Sequence, residues 1–92
     1  MASSEYVRYA SVTIDSVTRT PITVPRGCRR VFLTNADIEN DATIYDADAA
    51  GSSLPLPAGS RIELPPVSVA GATVVWVQAS AGTGPIRAEY HI

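Results

Sequence analysis

The chain holds one imidazole, His91, and one thiol, Cys28, so any Cys–His couple or histidine base would have to use them. His91 reads as an outward residue of the last strand, next to Ile92. That is a poor place for the orienting partner and pocket a general base needs. Cys28 precedes Arg29-Arg30, and neighbouring guanidinium groups can lower a thiol pKa. Nothing in the spacing brings it to His91, and a small buried cysteine is the commoner role. A single Cys and a single His also exclude a disulfide framework and a zinc site built from these types within one chain.

Carboxylates offer the next chemistry. Asp37, Glu39, Asp41, Asp46 and Asp48 crowd one stretch of the chain, and calcium takes oxygen ligands from such loops. Asp46, Asp48 and Gly51 fit positions 1, 3 and 6 of a calcium-binding loop, but Ala50 stands at position 5 and Pro57 where the bidentate Glu belongs. Asp and Asn also build turns by bonding nearby backbone, so the Asp37–Asp48 stretch reads first as turn chemistry, with a metal left open. A glycosidase pair would need a substrate groove that 92 residues hardly provide. There is no G-x-S-x-G, H-E-x-x-H or phosphate-binding loop, since Gly82-Thr83-Gly84 runs into Pro85. The expectation is a protein that is not an enzyme and needs no cofactor.

Binding is the remaining chemistry. Seven Arg against nine acids give a net charge of −2, with no Lys. That balance lacks the basic excess expected of nucleic-acid or anionic-membrane binders. Arginine and tyrosine are favoured at protein contacts. Arg8, Arg19 and Arg26, with Tyr6 and Tyr9 near the N-terminus, are therefore the candidate partner-binding residues.

The elements that must carry these residues are strands. Val, Ile and Thr supply 25 residues against four Leu and no Lys, which disfavours helix and suits a pleated sheet. A reading for period two marks Glu5–Ile14, Val17–Val24, Arg29–Asn35, Thr43–Asp46, Leu54–Leu56, Arg61–Leu64 and Ile86–Ile92 as strands, and Ala72–Ala79, apolar on both faces, as a strand covered on both sides. Pro21 demotes its strand to an edge or a bend. Val31 and Leu33 share one face with Phe32 opposite, and Arg87, Glu89 and His91 point away from Ile86, Ala88 and Tyr90. Trp76, inside the most apolar strand, is expected in the core. Ser80–Gly84 suggests a hairpin joining the last two strands, and Val67–Ala70 a crossing between sheets. The fold class is all-β: a single small β-sandwich or jelly-roll-like barrel of about seven short strands. The domain spans residues 11–92, preceded by an extended arm at 1–10. Met1–Glu5 shows no basic region leading into an apolar stretch, so a soluble product made in a cytoplasm is expected.

The runs Arg30-Val31-Phe32-Leu33-Thr34-Asn35, Ile44-Tyr45, Leu56-Pro57-Ala58-Gly59, Ile62-Glu63-Leu64, Val75-Trp76-Val77 and Arg87-Ala88-Glu89-Tyr90 together resemble small virion proteins of tailed bacteriophages. The resemblance covers about residues 26–92 and is strongest toward the head decoration, or cement, type. It implies a β-sandwich that clamps neighbouring major capsid protein subunits on the outer surface of the assembled head, commonly as a homotrimer. Such proteins bind through surfaces, so the resemblance assigns no role to any single residue. A tail, neck or fibre-associated module is the nearest alternative, and a small carbohydrate-binding module the next.

Overall fold

The structure, a computed structural model, describes residues 7–49, 51–64 and 73–92. It is all-β, as expected, with eight strands: β1 Val7–Asp15, β2 Thr20–Val24, β3 Arg30–Asn35, β4 Ala42–Tyr45, β5 Ser53–Leu56, β6 Arg61–Glu63, β7 Thr73–Ala79 and β8 Thr83–His91. They form two four-stranded antiparallel sheets, β1-β8-β3-β6 and β2-β7-β4-β5. Pairings β1–β8, β2–β7, β3–β6 and β4–β5 are nested inside one another, as in one long hairpin wound over itself. The sheets are closed by β3–β8 and β4–β7. This is the eight-stranded jelly roll, a double-stranded β-helix.

Alternation decides what fills the space between the sheets. Ile14, Val31, Leu33, Ile86, Ala88 and Tyr90 come from the first sheet, and Ile22, Val24, Ala42, Ile44, Leu56 and Val77 from the second. All are buried, and each fully covered aliphatic chain contributes about 1.5–3 kcal/mol by leaving water. Burial also raises the Tyr90 phenol above its ordinary pKa. Among the described residues one polar side chain joins the core. Asn35 donates to the carbonyls of Asn40 (2.9 Å) and Leu56 (3.2 Å), and its Oδ1 accepts from the Asp37 amide at 3.1 Å. Its own backbone meets Ser60 and Gly59, so one satisfied amide ties both sheets to the loops between them.

Prolines sit where a missing N–H does least harm. Pro21 and Pro55 lie in β2 and β5, the two edges of their sheet. Pro85 lies in a central strand, but only at its start, where the ladder to β3 has not yet begun.

Three expectations change. Ser80–Gly84 does not make a hairpin: β7 and β8 belong to different sheets, each already flanked by two partners. Val7–Ala10 is not part of an extended arm but the first half of β1, laddered onto His91–Ala88. Trp76 is not core: Val75 and Val77 face inward, so Trp76 points outward and is half-buried. The Val67–Ala70 crossing, Tyr6 and the rest of residues 1–6 lie outside the described residues.

Candidate interaction faces

Each sheet turns one face to the core and one outward, and the two outer faces differ in chemistry. Across β1-β8-β3-β6 the register lines up Tyr9, Glu89, Phe32 and Glu63 in one row. The row on one side holds Val7, His91 and Arg30; the row on the other holds Ser11, Arg87, Thr34 and Arg61. Phe32 is 8% exposed although it faces away from the core. Charged side chains cover it: the Arg61 guanidinium lies 4.0 Å from the ring centroid, Arg30 4.9 Å, and the His91 ring meets it edge-on at 5.1 Å.

The covering charges are themselves paired. Arg30 binds Glu63 in two-pronged fashion, Nε to Oε2 at 2.9 Å and Nη2 to Oε1 at 3.0 Å. Glu89 Oε2 takes both His91 Nε2 at 2.6 Å and Arg61 Nη2 at 2.8 Å. These bonds, from His91 first and then Arg61, hold the Glu89 carboxyl below its ordinary pKa. The Arg30 bond does the same for Glu63. The His91–Glu89 contact is thus one corner of a charged lid over an aromatic ring.

Arg87 completes the face differently. It is exposed and has no hydrogen bond or ion pair among the described residues. With Tyr9, Ala10 and Ser11 it lines a shallow open depression between β1 and β8. Tyr9 is 67% exposed there.

The outer face of β2-β7-β4-β5 is less charged. Its central row is Pro21, Trp76, Tyr45 and Ser53. Arg19 lies 3.5 Å over the Tyr45 ring and donates to the Ala47 carbonyl at 2.8 Å. Arg19 therefore fastens the loop after β4 to this face.

The candidate partner-binding residues do not converge. Arg8 and Arg26 are exposed at the end of the sandwich where β1 begins and the β2–β3 turn lies. Tyr9 is on the charged face, Arg19 on the aromatic one. Cys28 is buried, its thiol 3.1 Å from the Arg30 carbonyl, a packed small residue. The carboxylates serve the loops. Asp37 accepts from the Glu39 amide at 2.8 Å and from Asn40, and these bonds lower its pKa. Asp41 caps Ala58 and Asp46 caps Ser52, both at 2.9 Å. Asp46 also explains Gly51, whose φ is +100° and whose missing Cβ leaves room for that carboxylate. Among the described residues no group of three His, Cys, Asp or Glu is arranged to hold a metal. Sequence reasoning passed over Arg87 and Tyr45; opposite parity to Ile86 and Ile44 was the signal that placed both outward.

No protein-family model matches the chain, and no curated protein matches it. Among solved structures it is similar to a de novo designed double-stranded beta-helix determined by solution NMR. That match has 15% identity and a TM-score of 0.61, and covers 92% of this chain and 99% of the other. At this identity the likeness shows the fold alone.

Proposed function

We propose that the chain is a structural virion protein of a tailed bacteriophage, decorating the assembled head. The observation that carries this reading is where the large unused side chains lie. Tyr9, Val17 and Ile38 are 67%, 82% and 83% exposed. With the exposed Arg8, Arg26 and Arg87 they are spread around the sandwich rather than gathered in one cleft. That distribution suits a clamp touching several neighbours at once, and Tyr and Arg are favoured interface residues. The sequence resemblance over residues 26–92 supplies the virion context. The jelly roll is an architecture of capsid and lectin domains, an analogy of fold only. The partner is the major capsid protein, the decorating unit a homotrimer, and the location the capsid surface. Binding only to the assembled lattice would stabilise it by linkage, and several weak contacts per trimer would add avidity.

Quantifying this chain against the major capsid protein in purified particles tests the reading. About one copy per capsid subunit is expected. A handful of copies would move the protein to the tail, neck or fibre base, and absence from particles would end the virion reading.

A second reading has its own observation. Trp76 and Tyr45 stand directly opposite each other on the outer face of their sheet, and paired aromatic rings are a common platform for sugars. Saturable glycan binding lost in Trp76→Ala would establish it, while a flat response across a glycan panel would remove it.

A further inference from the structure

A jelly roll leaves four sheet edges, and an uncovered edge is a template for another strand. Three of the four are protected here. β6 has three residues, two of them charged; β5 has four and contains Pro55; β2 has five and contains Pro21. β1 is the exception. It pairs with β8 over nine consecutive residues without a bulge and contains no Pro, and its two charged residues, Arg8 and Asp15, stand near its ends. Among the described residues no strand is hydrogen-bonded to its other side. Among the described residues it is long, regular and open, the combination natural sheets normally avoid.

The depression of Tyr9, Ala10, Ser11 and Arg87 lies beside this edge. Of the three arginines on this outer face, Arg30 and Arg61 have carboxylate partners and Arg87 has none among the described residues. Ser11 stands directly between Arg87 and the open side of β1. A strand added to β1 would run about 9.6 Å from β8, two strand spacings. Over a residue as small as Ser11, an arginine and an acidic side chain can meet across that gap.

We propose that β1 is a strand-addition site for an extended segment of a partner protein that presents an acidic side chain toward Arg87. Main-chain bonds to the open edge supply the affinity, and the Arg87–Tyr9 depression selects the residue. A second copy of this chain fits poorly. The outward residues of its β1 are Val7, Tyr9, Ser11, Thr13 and Asp15, and only the last is acidic. Asp15, at the strand's end, spends a carboxylate oxygen on the Val17 and Thr18 amides. Two-fold pairing centred on Ser11 would also bring Arg87 toward its own copy. The inference does not depend on the virion reading, since it concerns what the edge binds rather than where the protein is carried.

The test is a selection of displayed random ten-residue peptides on the immobilised full chain. Enriched peptides are expected to alternate polar and apolar residues with Asp or Glu at one fixed position. A synthetic peptide from that set should slow amide exchange at alternate residues within Val7–Asp15. Replacing its acid by the amide should weaken binding about tenfold, and Arg87→Glu should reverse the preference toward a lysine peptide. Arg87 is exposed and has no partner among the described residues, so that variant should keep the fold, which the circular dichroism of both proteins checks. No enrichment, enrichment without an acid, protection confined to another strand, or a dimer of the free protein that protects β1 would each overturn the proposal.

Discussion

Two rows of four residues cross the two outer faces of this sandwich: Tyr9, Glu89, Phe32, Glu63 on one and Pro21, Trp76, Tyr45, Ser53 on the other. Both place aromatic rings where an antiparallel sheet normally meets water. On the first face the Phe32 ring is closed over by two guanidinium groups and an imidazole, and two carboxylates hold that cover in place. On the second, one arginine covers Tyr45 and Trp76 remains half-buried. The difference teaches that an outward aromatic residue can be structural or displayed according to its neighbours in register. Phe32 serves as a small satellite core, whereas Trp76 is displayed surface.

The largest expected effect separates these roles. Phe32→Ala should cost about 3 kcal/mol, near the lower end for buried Phe, and lower Tm by more than roughly 10 °C for a domain of this size. Trp76→Ala should cost about half as much, because much of the ring is already in contact with water. Thermal unfolding of the two variants side by side decides it. Equal losses would mean that the second face is as closed as the first.

Acid should act on the first face before the second. Glu63 and Glu89 have folded pKa values below their ordinary 4.5. Their stabilisation is therefore complete above about pH 4.5 and is lost as pH falls through the lowered folded values. Glu89→Gln should lower stability at pH 7 by roughly 0.5–1 kcal/mol and shrink the loss between neutral pH and pH 3. Asp15 and Asp37, lowered by backbone amides and the side chains beside them, keep their share of that loss. Urea unfolding at the two pH values measures the change, and an unaltered acid loss in the variant would remove Glu89 from the account. The smallest effect belongs to Arg30→Gln. Its pair with Glu63 is about half exposed, so about 0.5 kcal/mol, reduced further in high salt, is expected.

The same contrast shows how far the sequence could be read. Extended apolar runs marked where the strands lie, with about seven expected against eight found, and period-two alternation set the parity of Val31, Phe32, Leu33, Ile44, Tyr45 and Glu89. Parity tells which residues share a face but not what lies over that face. Phe32 was thus legible as outward, while its burial depends on Arg61, 29 residues away, reaching across a ladder that alternation does not encode. Trp76 failed for another reason. Its strand is apolar on both sides, so composition hid the period. The false hairpin at Ser80–Gly84 reflects a third limit: a short glycine-bearing loop suits a crossing between sheets as well as a turn within one. Arg87 was overlooked because what marks it is the absence of a carboxylate opposite, a property of register.

The nesting of the strands has a consequence for how the molecule comes into being. β8 lies between β1 and β3, and β7 between β2 and β4. The middle of each sheet is therefore the last part of that sheet to be synthesised. While residues 73–91 are still inside the ribosome, β1, β2 and β3 have no central strand to join, and only β3–β6 and β4–β5 can pair. The emerging chain must remain largely open until its final strands appear, and then close contacts more than 80 residues apart. Such distant closures make folding slow, and the sandwich can close only once Thr83–His91 has left the ribosome.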